Sequence, residues 1–322
     1  LLKQSNAAGA THADGLAARA RKMLAEIGGE SDIYTDARLM LAASAEETDG
    51  AAHSAESLRI IEEAVAVKPA EPRLRVARAM LIEEAGDVKK ARDVMQEASR
   101  LFPDDAEIKF RLGLFEDKLG NRVAALSAIR SAIRLNPDDV RPSIAEAMIF
   151  EEAKDYGKAR AALAEAAKKF PAEAEIPFRL GVVEDKSGDK QAAVAAMREA
   201  IALDPDHADA LNYLAYTWAE MGENLEEALE LAQKADRLKP GNGYIMDTVA
   251  WVYYRLGNHQ RALSLLRKAV PLSGEDPVVM DHLGDVYLKL GRKKEALKAY
   301  NQALANGFAD KEALSEKIEK LQ

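Results

Sequence analysis

The sequence predicts an all-α chain of stacked helical hairpins, on the evidence of three residue series that share one period. Prolines at Pro69, Pro103, Pro137, Pro171 and Pro205 recur every 34 residues, and Pro240 follows after 35. Glycines at Gly86, Gly120, Gly188, Gly222, Gly257 and Gly291 keep the same spacing, with Lys154 standing where the missing member falls. Small residues form the third series. Ala91, Ala125, Ala159, Ala193, Ala228, Ala262 and Ala296 share one phase, and Ala98, Ala132, Ala166, Ala200, Ala235, Ala269 and Ala303 follow seven residues later.

Each series has a structural meaning. The Gly ends one helix in a left-handed turn, and the Pro, which cannot continue a helix, separates one unit from the next. The paired alanines lie on one face of the second helix, where short side chains let the first helix approach closely. Gly113, Gly181 and Gly284 do the same from the first helix. A hairpin of this kind cannot cover its own apolar stripe, so units must stack, and a constant offset between them winds the stack into a superhelix. Composition agrees: 48% hydrophobic residues with only 6% aromatic and 31% charged suit an aliphatic core between amphipathic helices rather than sheets.

This pattern of a large residue, a small one, an aromatic, a Gly, two alanines and a Pro over 34 positions resembles the tetratricopeptide repeat family. Leu283-Gly284, Tyr287 and Gly291 fit it well. The resemblance implies a right-handed superhelix of antiparallel helix hairpins closed by a C-terminal capping helix. Seven clear repeats begin near residues 72, 106, 140, 174, 208, 243 and 277 and fill 72–310. A degenerate repeat occupies 38–71, where Leu41, Ala45, Ile61, Ala64 and Pro69 survive. Residues 1–37 form an N-terminal helical segment, with an amphipathic helix from Gly15 to Ile27 that reads as part of a preceding repeat. At the other end, residues 311–322 place Leu314, Ile318 and Leu321 on one stripe, as a capping helix requires. Arg78 and Glu146 depart from the pattern by standing where an apolar residue is usual.

A longer period of 68 residues lies within the first. Phe110-Arg111-Leu112-Gly113 with Glu116-Asp117-Lys118 returns as Phe178-Arg179-Leu180-Gly181 with Glu184-Asp185-Lys186. Shared polar triplets point to duplication of a two-repeat block, since stacking alone does not demand them.

Binding is expected on the inner wall of such a stack. Positions 2, 5, 9 and 12 of each first helix share a face roughly opposite the buried positions 7 and 11. The groove residues are then Met80, Phe110, Met148, Phe178, Asn212, Tyr216, Tyr244, Asp247, Trp251, Tyr254, Asp281 and Asp285, with Arg73, Val76, Leu114, Arg141, Ile144 and Val182 beside them. Aromatic anchors with adaptable methionines suit a protein or peptide client, and the densest aromatic group, at Trp251 and Tyr254, lies beside Asp247. Core packing between adjacent first helices is the competing explanation for each of these residues. Relatives that clamp an acidic C-terminus use Lys, Asn and Arg on this wall. Here position 5 reads Phe110, Ile144, Phe178, Asn212, Asp247 and Asp281, which repels a carboxylate toward the C-terminal repeats.

The stretch from Leu211 through Tyr216, Tyr244 to Arg255 and Asp281 to Asp285 resembles Gram-negative bacterial envelope repeat lipoproteins, one of which is an adaptor for a carboxyl-terminal processing protease. That resemblance implies a non-catalytic scaffold at the periplasmic face or outer membrane, with an envelope protease or its substrates as clients and a lipid anchor outside this stretch. The absence of cysteine fits an oxidising periplasm and a reducing cytoplasm equally, so a cytoplasmic site stays open. A structural scaffold assembling through its own ends or convex face is the alternative function. A net charge of -9 with interspersed basic residues argues against nucleic acid, no apolar run is long enough to span a membrane, and no phosphate loop, H-E-x-x-H or G-x-S-x-G motif is present. No enzyme activity, cofactor or metal is expected; the five histidines are scattered, and His282 beside Asp281 is taken as structural.

Overall fold

The computed structural model describes residues 19–44 and 50–321, with the backbone alone at 50–54. Every regular element among the described residues is a helix. The described part of α1 covers 19–26; the N-terminal part of the expected Gly15–Ile27 helix and the small residue Ala45 of the degenerate repeat lie outside the described residues. The chain divides after Ala153 into two compact units.

The N-terminal unit continues with α2 (Tyr34–Ser44), α3 (Gly50–Val67), α4 (Pro72–Glu84), α5 (Val88–Leu101), α6 (Ala106–Lys118), α7 (Arg122–Leu135) and α8 (Val140–Glu152). The C-terminal unit holds α9 (Tyr156–Lys169), α10 (Glu175–Ser187), α11 (Lys190–Leu203), α12 (Ala208–Met221), α13 (Leu225–Leu238), α14 (Gly243–Arg255), α15 (His259–Leu272), α16 (Pro277–Lys289), α17 (Lys293–Ala305) and α18 (Lys311–Glu319). Short connections turn α4 onto α5, α6 onto α7, and, in the second unit, α10 onto α11, α12 onto α13, α14 onto α15 and α16 onto α17. The all-helical tetratricopeptide-type stack read from the spacing is therefore present.

Local chemistry explains the turns. All six period-34 glycines sit at positive φ, and Lys154 takes the same left-handed conformation at φ 57° without the glycine's freedom. An Asp or Asn follows many of these turns and caps the next helix: Asp87, Asp155 and Asp189 accept from the backbone N–H three residues on, and Asn258 does likewise. The six recurring prolines all fall in the turns between repeats.

Both alanine series are buried throughout. What fills the space beside them is the residue four places after the first alanine. Ile129 and Met197 lie 2.7 Å and 2.6 Å from where a Cβ on Gly113 or Gly181 would be, and the Tyr300 ring occupies that place at Gly284. The two polar departures each find a partner on the preceding second helix. Arg78 meets Glu62 of α3 at 3.2 Å, and Glu146 meets Arg130 of α7 at 2.7 Å. The 68-residue period reappears as duplicated ion pairs: Arg92–Glu116 with Arg160–Glu184, and Arg111–Glu107 with Arg179–Glu175.

The cores differ between the units. Buried side chains of the N-terminal unit form separate clusters, around Ile61 and Leu74, around Met95 and Phe115, and around Ile129 and Ile149. In the C-terminal unit one large cluster runs from Phe178 through Trp218 and Tyr287 to Leu314 and Ile318, with a small one at Leu211, Ala235 and Ile245. Helix α18 buries Leu314 and Ile318, so it closes that cluster as the capping helix expected from its stripe.

Candidate protein-binding face

Within each unit the first helices of successive repeats touch one another, α2 with α4, α4 with α6 and α6 with α8, and α12 with α14 and α14 with α16. In each unit these helices form the wall that carries the candidate residues of α4, α6 and α8, or of α12, α14 and α16.

In the N-terminal unit the floor of this face is aliphatic and half-open. Val76 and Met80 on α4, Leu114 on α6, and Ile144 and Met148 on α8 are all half-buried. A cavity of about 290 Å³ opens there, lined by Leu39 of α2, by Pro72, Arg73, Val76, Ala77 and Met80 of α4, and by Asp105 and Glu107 at the start of α6. Phe110 is less available, at 7% exposure, because the Arg141 guanidinium lies over its ring at 5.2 Å. Arg141 also bonds Glu107 at 2.8 Å, and Arg73 bonds Asp36 at 2.7 Å, so ion pairs edge the floor where the helices begin. These pairs are half-exposed and each contributes little to stability.

In the C-terminal unit the same face is closed by rings. Trp251 is only 8% exposed, with its indole stacked between Tyr254 at 4.7 Å and His282 at 4.0 Å, and its Nε1–H donates to Glu220 at 2.6 Å. His282 and Asp247 are both buried, and His282 Nδ1 meets the two Asp247 oxygens at 2.9 and 3.0 Å. Burial opposes charge on His282, but the Asp247 carboxylate outweighs it and raises the imidazole above its ordinary value. Asp281 and Asp285 both accept from Lys317 of α18, at 2.8–3.1 Å, and Tyr300 donates to Asp285 at 2.7 Å. Burial pushes the Asp281 carboxyl up, and Lys317 offsets this only in part. Tyr216 and Tyr254 are half-buried; burial first, then Glu220, Asp247, Asp185 and Asp281, raises the Tyr216 phenol well above its ordinary value.

The remaining candidates separate. Phe178 is buried against His207 at 4.9 Å and edge-on to Tyr213. Asn212 is half-buried, and its side-chain oxygen has no protein partner. Tyr244 stands 54% exposed at the start of α14. Thus the structure joins Asp247, Trp251 and Tyr254 in one network through His282, and Asp281 and Asp285 in a second through Lys317, whereas Tyr244 stays outside both. Glu220 and His282 in the first network and Lys317 in the second were not among the candidates. Glu220 had a signal, since it lies one turn beyond Tyr216 on the same helix face, but Lys317 reaches Asp281 from a helix outside the repeat pattern. Among the described residues no group of three or more His, Cys, Asp or Glu is arranged to hold a metal, and no helix is long and apolar enough to cross a membrane.

Comparison with known proteins agrees with the fold. A family model described as tetratricopeptide repeat matches residues 49–106, 83–140, 110–174, 144–189 and 178–243, and one described as tetratricopeptide repeat-like domain matches 223–322. A tetratricopeptide repeat-containing protein of Pseudomonas aeruginosa is 46% identical over 57 residues, which is 18% of this chain and 10% of that protein. Among solved structures, the Cut9–Hcn1 hetero-tetramer of the APC/C is similar at a TM-score of 0.65 and 18% identity, over 96% of this chain and 60% of that one. A repeat protein from Parabacteroides merdae is similar at 0.58 and 17% identity, over 78% of this chain and 98% of that one. At these identities the solved structures speak for the fold alone, and the chain spans 60% of the Cut9–Hcn1 chain and a tenth of the Pseudomonas protein. With models covering residues 49–322, the chain belongs to the tetratricopeptide repeat family.

Proposed function

We propose that this chain is a non-catalytic adaptor that holds a protein or peptide client on the first-helix face of its repeats. The family is generally one of protein–protein interaction scaffolds. The observation that carries the reading here is the half-open aliphatic floor at Val76, Met80, Ile144 and Met148 with its cavity of about 290 Å³, space that no described residue of the chain fills. On this reading Met80 and Met148 of the N-terminal unit are the accessible contacts, Phe110 shapes the wall beside them, and Phe178 and Trp251 shape the closed wall of the C-terminal unit.

We further place the protein in the bacterial envelope, at the periplasmic face or outer membrane, with a processing protease or its substrates as clients. The support is the resemblance of the Leu211–Asp285 stretch to envelope repeat lipoproteins. Photo-crosslinking tests both parts. A photoreactive phenylalanine analogue at Met80 or Met148 should capture clients from envelope extract that the same analogue at Val123, 85% exposed on α7, does not. Equal labelling from all three positions removes the groove reading. Capture of a second copy of the chain alone supports self-assembly instead.

A further inference from the structure

We propose that the first-helix face of the N-terminal unit takes an amphipathic segment of a partner protein whose apolar stripe is flanked on one side by lysines or arginines. The proposal rests on the reading of that face as the docking surface and adds the chemistry and direction of its occupant.

The floor specifies the apolar part. Val76, Met80, Leu114 and Met148 run across the first helices of three successive repeats, and the cavity beside Met80 has room for a large side chain. Unbranched methionine adapts to the shape of what it meets, so the floor accepts a stripe without demanding one sequence.

The two edges of the floor are chemically unequal. Where the helices begin, bases offset most of the acids: Arg73 is held by Asp36, Arg111 by Glu107, and Arg141 by both Glu107 and Asp139. Where they end, position 12 is a carboxylate in the three clear repeats of the unit, half-buried at Glu83 and Asp117 and buried at Glu151, and the exposed Glu84 and Glu152 follow the first and last in sequence. Three helix C-termini converge on that edge and add partial negative charge of their own. Burial pushes the Asp117 carboxyl above its usual range, and the charge of Arg122 opposes this only in part, so a further cation beside it is favoured. The chain already places one ammonium there, since Lys118 of α6 pairs with Glu83 of α4. A segment lying along the floor therefore gains by turning its basic flank to the helix ends and loses by turning an acidic one.

Two synthetic peptides test this on the full chain by fluorescence anisotropy. Both carry leucines at helical spacing; one has lysines along a single flank of the stripe and the other has glutamates in their place. The lysine peptide should bind about tenfold more tightly at low salt and lose that advantage as salt rises. Asp117→Asn should narrow the gap by about threefold, and Met80→Asp should abolish binding of both peptides. Equal binding of the two peptides, lost in Met80→Asp, overturns the basic-flank assignment and leaves the docking face standing. Lysine-peptide binding unchanged by Met80→Asp, or no binding of either peptide, overturns the docking face itself. Circular dichroism melts control for folding, and Met148→Asp replaces Met80→Asp if the latter does not fold.

Discussion

At position 9 of its first helices the N-terminal unit carries Met80, Leu114 and Met148, all half-buried around an open floor, whereas the C-terminal unit carries Tyr216, Trp251 and Asp285 at the same position from α12 onward. The helical frame is shared, so the difference lies in side-chain reach. The indole of Trp251 is wide enough to bridge from α14 to His282 on α16, and its N–H finds Glu220 on α12, so three first helices are joined by one side chain. Methionine and leucine lack a flat face to stack and leave the space between neighbouring helices accessible. Aromatic residues on a repeat wall can therefore close it, and aliphatic ones can leave it open.

Five measurements test that contrast and the packing around it. The largest effect should come from Trp251→Ala, which removes a buried, doubly stacked ring and is expected to cost about 3–5 kcal/mol in urea unfolding. Met80→Ala on the open floor should cost about 1 kcal/mol, because a half-exposed side chain leaves little cavity. Similar losses from the two would erase the distinction between the units. Second to Trp251→Ala in size, Gly284→Ala should cost about 1–3 kcal/mol, since the added methyl falls within the van der Waals envelope of Tyr300. A neutral outcome would mean that the ring shifts freely and that the close approach of α16 to α17 does not constrain packing.

Lys154→Gly should stabilise the chain by about 1 kcal/mol, because glycine adopts positive φ without the penalty that a side chain carries. Destabilisation would reveal a contact of Lys154 that outweighs its backbone strain. The smallest effect concerns pH. His282 is raised by Asp247, so the pair stabilises the folded state fully below the ordinary histidine value of 6.5 and loses that contribution as pH climbs through the higher folded value. The C-terminal unit should accordingly soften in amide exchange as pH rises above 6.5, relative to the N-terminal unit, and His282→Gln should remove that dependence. A pH-independent difference between the units would show that the pair does not titrate in this range.

Much of the fold was legible in the chain. The glycine, alanine and proline series marked turns, helix contacts and repeat boundaries, and even the substitution of Lys154 kept the glycine's conformation. The capping stripe of Leu314 and Ile318 could be read from helical spacing because it depends on one element alone. The candidate wall was legible only as a face. Helical periodicity showed that Trp251, Tyr254 and Asp247 point the same way as Met80, but it carried no measure of how far each side chain reaches toward its neighbours.

Local backbone rules act over a few residues, so the order of helices, their caps and their buried alanine seams were set by sequence alone. Which parts of the first-helix face are sealed was decided by contacts between residues 31 to 36 apart, Glu220 with Trp251, Asp247 with His282 and Asp281 with Lys317. Such contacts depend on the offset at which one hairpin stacks on the next, and only the assembled tertiary structure sets that offset.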